Sequence, residues 1–342
     1  MSKNNATIDN FQQANSRKHR IRKILLFVLP LIWIFGGWLI FANFQIIRDK
    51  INILQNPLSE NIAAISENVG INDKGKNMLQ ASLAQLNDRE TFNKNCPIRE
   101  SQAILLGCYT KQRIYIFNVT DERISGITGV ITAHEMLHAA YERLSVSERT
   151  NVNRMLQKEL SNIENEEIID IMKVYEKTEP GQEFNELHSL IATEEKNISN
   201  ELENYYKKYF NDREKAVSAY EKYQKVFDDL DERAEILQDK MESKKAIIDE
   251  NEFKYKTKIE LLDEDVQQFN ICANTINCFA SQAEFENRRA ELVAHQEELA
   301  KLLKLINSQI EDYNSNVNDL NALGIEANEL NKNLNSKARE ID

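Results

Sequence analysis

Glycine and proline are scarce in this 342-residue chain, with 9 and 4 copies. Their rarity argues against a fold built from short strands and tight turns. Between Gly181 and Gly324 neither residue occurs, so nothing interrupts a helix across that span. Clustered cations are also missing from most of the chain, whose formal net charge is -12. So acidic a body excludes nucleic acid as a partner, because phosphate binding needs grouped lysines and arginines. Histidine is limited to 5 copies, and His134, His138 and His188 fall in one short middle stretch.

The exceptions to these absences are local. Residues 1–23 carry Lys3, Arg17, Lys18, Arg20, Arg22 and Lys23 against Asp9 alone. The following Ile24–Phe44 has no charge, and about 20 apolar residues suffice for a membrane-spanning helix. The basic flank predicts a single-pass cell-membrane anchor, with residues 1–23 cytoplasmic and the rest extracytoplasmic. Four cysteines form two close pairs, Cys96 with Cys108 and Cys272 with Cys278. In an exported domain such pairs read as disulfides. Metal binding is the competing reading, although neither spacing is the C-x-x-C of a zinc knuckle.

Residues 45–95 read as amphipathic helices around Gly70 and Asp73-Lys74-Gly75. Strand signals occur in Ala103-Ile104-Leu105-Leu106 and Arg113-Ile114-Tyr115-Ile116-Phe117. Residues 125–196 are helical again, broken at Glu179-Pro180-Gly181. Beyond residue 201, apolar positions recur at alternating spacings of three and four, from Tyr209 to Phe269 and from Phe285 to Leu334. That is the coiled-coil period. Two runs of nearly equal length flank Cys272–Cys278, which predicts an antiparallel helical hairpin over 201–342 with its tip near 271–281. One continuous dimeric rod is the alternative.

The chemistry lies in His134-Glu135-Met136-Leu137-His138. Histidines four apart share a helix face, so both imidazoles reach one Zn2+ at ~2.0–2.1 Å. Glu135 follows the first by about 100° of rotation. There it can take a proton from metal-activated water and deliver it to a leaving amine. Val130, Ile131, Ala133, Leu137, Ala139 and Ala140 frame the motif with apolar and small side chains. The preceding strands would offer an edge to an extended substrate. The bland alternative is a pair of solvent-facing histidines on an ordinary helix.

With these residues the chain resembles the zincin metallopeptidases, and the gluzincin group in particular, over roughly residues 100–196. That resemblance implies a small zincin-like domain over 45–200, zinc as cofactor and a glutamate ligand on a later helix, in a Glu-x-x-(Ser/Ala)-Asp pattern. Phe184-Asn185-Glu186-Leu187-His188-Ser189 matches it at Glu186 and Ser189. Leu190 stands where the pattern has Asp, so the partner that orients a ligand histidine must come from elsewhere. Glu194, two turns further along the same face, is the rival third ligand, and His188 is a further candidate. His188 and Tyr141 are the candidate transition-state stabilisers, and core packing is the plain alternative for both. After His138, Ala-Ala-Tyr-Glu-Arg-Leu lacks the Gly and third His of a metzincin.

The expectation is an α+β, predominantly α protein with one transmembrane helix, a zincin-like domain and a coiled-coil hairpin. It would hydrolyse peptide or protein substrates with zinc, and the hairpin is a candidate surface for an envelope partner. The competing function is a scaffolding or binding protein in which the metal site is structural.

Overall fold

With so few helix breakers the backbone takes the helical solution almost everywhere. The computed structural model describes Trp33 and residues 35–96 and 105–335. The expected basic tail 1–23, residues 24–32 and 34 of the expected span and positions 103–104 of the first expected strand lie outside the described residues. Residues 35–42 are helical up to a turn at Asn43. The helices α1 (Phe44–Gln55), α2 (Glu60–Asn68) and α3 (Asp73–Ala81) follow, then β1 (Gln85–Asn87), α4 (Arg89–Asn95), β2 (Gly107–Thr110) and β3 (Arg113–Phe117). Next come α5 (Ile127–Glu142), α6 (Val146–Leu160), α7 (Glu166–Thr178), α8 (Glu183–Glu194), α9 (Asn200–Tyr206), α10 (Glu214–Ala273) and α11 (Gln282–Leu334).

Two expectations are corrected here. The α+β class with a membrane-spanning helix gives way to an overwhelmingly helical fold with one small sheet. Among the described residues, no helix is long and apolar enough to cross a membrane. The single-pass cell-membrane placement, with a cytoplasmic N-terminus, loses its support for the same reason. A span needs about 20 consecutive apolar helical residues. The described stretch 35–42 with α1 behind it, which carries Arg48, Asp49 and Lys50, offers no such window.

The chain divides into two compact units, one running up to Asn118 and resuming at Thr128–Ala219, the other Val119–Ile127 with Tyr220 onward. In the first, the sheet order is β1-β3-β2, with β1 parallel and β2 antiparallel to β3. Arg113–Phe117 forms the expected strand, but its partner lies at 107–110 rather than 103–106. The connection is a two-residue turn in which Lys111 and Gln112 both take positive φ, 49° and 62°, the hairpin geometry that matches strand twist. Gly70 is a glycine that the backbone demands. Its φ is 73°, and a Cβ would lie 2.0 Å from the carbonyl oxygen of Asp212. The core joins Ile62, Leu79, Ile114, Ile116, Met136, Leu137, Leu156, Leu187, Ile191 and Tyr206, so α5 and α8 each bury one face in it.

In the second unit α10 and α11 lie antiparallel. The register is set by an Asn251 Nδ2 bond to Gln309 Oε1 at 3.0 Å, a Lys258–Glu298 ion pair and Arg233 near Glu326 at 3.9 Å. Leu230, Ile248 and Leu262 bury against a seam that includes Leu299, Ile306, Leu323 and Leu330. Phe269, Phe279 and Phe285 cluster at the tip with centroids 5.1–5.5 Å apart. Both expected disulfides are present, Cys96–Cys108 and Cys272–Cys278.

Candidate metal centre

Helix α5 presents two faces. Val130, Ala133, Met136, Leu137, Ala139 and Ala140 are buried, whereas His134 and His138 are only partly covered. Their Nε2 atoms lie 3.0 Å apart. Helix α8 supplies Glu186, whose Oε1 lies 3.5 Å from His134 Nε2 and whose Oε2 lies 3.4 Å from His138 Nε2. Ligands at ~2.0–2.1 Å around a tetrahedral ion stand roughly 3.3 Å from one another. The spacing of the three groups, all within 4.8 Å, therefore suits one metal ion.

Helix α8 is held at its far end by Arg213, which is buried. Its guanidinium donates to the carbonyls of Ala192 at 3.2 Å, Glu195 at 2.6 Å and Lys196 at 3.0 Å, and to Glu203 Oε2 at 2.8 Å. These are the acceptors a helix C-terminus leaves without partners, and the cation also complements the helix dipole. At the other end Glu186 sits in the first turn, where a carboxylate is favoured.

The missing Asp at Leu190 is replaced from an unexpected direction. Asn185, next to Glu186, places Oδ1 3.1 Å from His138 Nδ1. That bond has His138 donate through Nδ1 and leaves Nε2 to face the metal position. Burial lowers the His138 pKa, but the hydrogen bond and charge of Glu186, the charge of Glu135 and the Asn185 bond outweigh it and raise it to about 9. Burial pushes Glu186 upward, but the charges and hydrogen bonds of His134 and His138 prevail and hold its carboxyl well below the usual range.

Glu135 lies beside this group, 6% exposed. Burial raises its pKa, partly offset by the two histidines and by a bond from the Tyr109 backbone N–H. Its Oε2 has no hydrogen-bond partner among the described residues. Gly107 makes room for it, since a Cβ there would stand 2.6 Å from Glu135 Oε1 and 2.4 Å from Ile131 Cγ2.

These residues share a cleft of about 360 Å3, lined by Leu105 to Thr110 of the β2 region, by His134, Glu135, His138 and Glu142 of α5, and by Tyr175, Glu179, Asn185 and Glu186. Strand β2 is an edge of the sheet. The Leu106 carbonyl accepts from Phe117 N, so by alternation Cys108 and Thr110 bond β3 while Gly107 and Tyr109 point their backbone groups outward. Tyr175, on α7, hydrogen-bonds Glu186, and burial, more than the nearby Glu186 charge, raises its pKa.

Two expected stabilisers lie elsewhere. His188 is fully buried, with Nε2 3.0 Å from Tyr205 Oη and its carbonyl accepting from Tyr206 Oη at 2.8 Å. Burial, with the charges of His138 and His134, lowers its pKa to about 3, so it is a neutral core histidine. Tyr141 donates to Asn153 Oδ1 at 2.7 Å. Neither lines the cleft. Glu194 stays outside the three-ligand group, two turns along α8 and about 12 Å from Glu186. Tyr175, Asn185 and Tyr109 carried no motif that pointed to the site. Gly107 did carry a signal, because an isolated glycine among strand residues marks a close approach.

No known family, curated protein or solved structure matches this chain. The metal-ligand group therefore rests on geometry alone.

Proposed function

We propose that this protein is a zinc-dependent peptidase of gluzincin-like chemistry, with His134, His138 and Glu186 as ligands and Glu135 as general base. The observation that carries the reading is the convergence of these four side chains in one cleft below an unpaired strand edge. Zinc, when bound, supplies the Lewis acidity that polarises a scissile carbonyl and acidifies water. The remaining chemistry belongs to the chain. Glu135, with Oε2 lacking a partner, takes the proton of an attacking water and passes it to the departing amine. Burial favours that protonated state of the carboxyl. Gly107 offers an outward N–H and C=O and Tyr109 an outward C=O with which an extended peptide pairs, the Tyr109 N–H being taken by Glu135. Asn185 and Tyr175 orient His138 and Glu186.

A structural metal site, as in a scaffolding protein, calls for a fourth protein ligand. Three residues form the group among the described residues, which favours the catalytic reading. The test compares the zinc-loaded wild type with Glu135→Gln on a mixed peptide library. Loss of cleavage by roughly a hundredfold or more is expected on removing the base. Equal cleavage by both, or none by the wild type, refutes the proposal.

A further inference from the structure

The cleft over the ligand group is unbalanced in charge. Glu135, Glu142, Glu179 and Glu186 line it, and among the described residues no lysine or arginine does. The ligand and base roles use Glu186 and Glu135, which leaves Glu142 and Glu179. Glu142 stands one turn beyond His138 on α5. It is exposed, and its Oε2 accepts a 2.8 Å bond from Tyr109 Oη. The adjacent Arg143 shares that hydroxyl, donating to Tyr109 Oη at 3.2 Å, but its charge is matched by Asp49. Its guanidinium is held by both carboxylate oxygens of Asp49 at 2.8 and 3.0 Å, and it donates to the Ala139 carbonyl at 2.7 Å.

A second observation says that this cleft receives a ligand. Glu135 is more than nine-tenths buried and lines the cleft, yet its Oε2 lacks a partner among the described residues. A buried carboxylate oxygen of this kind needs one from an occupant. The register of that occupant follows from β2. Glu135 meets the strand from Gly107 to the Tyr109 N–H, and Glu142 meets it at the Tyr109 hydroxyl. The two glutamates lie two turns apart on α5, about 10 Å of helix rise, which an extended peptide covers in about three residues.

We propose that Glu142, with Glu179 in the same cleft, forms a subsite for a lysine or arginine side chain two to three residues from the scissile bond. The substrates are then basic peptides. This specificity rests on the peptidase reading above.

The test walks a single Lys or a single Glu along a quenched fluorescent peptide and measures kcat/KM for the full-length, zinc-loaded wild type and for Glu142→Lys. The wild type is expected to favour Lys over Glu at one position by about fivefold or more, and Glu142→Lys to reverse the ratio there. Equal rates for the Lys and Glu peptides at every position, or a ratio unmoved by Glu142→Lys, overturn the subsite and leave the peptidase reading standing. Anisotropy of the same peptides on Glu135→Gln separates binding from hydrolysis. If the wild type cleaves neither peptide but Glu135→Gln binds the Lys peptide more tightly, the peptidase reading fails and the cationic subsite stands. Failure to cleave either peptide, with no such binding preference, overturns both.

Discussion

At the residue scale the site is a matter of who holds whose proton. His138 donates through Nδ1 to Asn185, and its Nε2 faces Glu186. In the metal-free protein this pairing raises His138 to about 9. A raised folded pKa means stability that is fully present below the unfolded value near 6.5 and is lost as pH rises through about 9. Glu186 is shifted down, so its contribution is present above the ordinary carboxylate range and lost as pH falls. Chelator-treated protein is therefore expected to melt at progressively lower temperature between pH 6.5 and pH 9. The decline should largely vanish in Glu186→Gln, and thermal melts across that range check both statements. A slope of the same size in the variant would show that other groups govern it. The HExxH residues were readable because their spacing alone places two imidazoles on one turn. Asn185 was not, because its role depends on how α8 is rotated against α5.

At the element scale, β2 does more than its four residues suggest. It forms the edge of the sheet, gives Glu135 a backbone N–H, and through Cys108 is tied to Cys96 at the end of α4. The disulfide joins residues 12 apart, and closing a loop of that size restricts the unfolded chain by about 3 kcal/mol. Replacing both cysteines by serine should lower stability by about that amount in chemical denaturation. Hydrogen-exchange protection at the Cys108 and Thr110 amides, which bond β3, should drop most. Unchanged protection at β2 would mean that the sheet alone holds the strand. The β3 strand was evident from its β-branched and aromatic run. Its partner slipped to 107–110 because Lys111 and Gln112 adopt the positive φ of a two-residue turn, which no local glycine advertised. The short β1 was hidden inside a helix-like stretch, since a parallel pairing with β3 is a tertiary contact.

At the scale of the whole molecule, metal and fold are linked. A ligand that binds only the folded state at a hundred times its Kd stabilises by about 2.7 kcal/mol. Zinc added to chelator-treated protein should raise stability by an amount of that order, read from denaturation midpoints. His138→Ala should abolish the gain. A gain that survives the substitution would locate the zinc elsewhere.

Composition and period determined a great deal by themselves. The absence of glycine and proline between 181 and 324 left helix as the continuing state, and the three-four spacing chose the faces that α10 and α11 bury. Cysteine spacing brought each pair near enough in sequence to bridge. Only the tertiary structure decided which glutamate joins the histidines, that His188 belongs to an aromatic core, and that a glycine on an edge strand makes room for the buried Glu135. The apolar N-terminal run shows the limit of reading alone, since it suggested a membrane helix that the described residues do not contain. Local pattern reports what a segment buries. Which partner it buries against is set by long-range packing, and the candidate site is made of those long-range meetings.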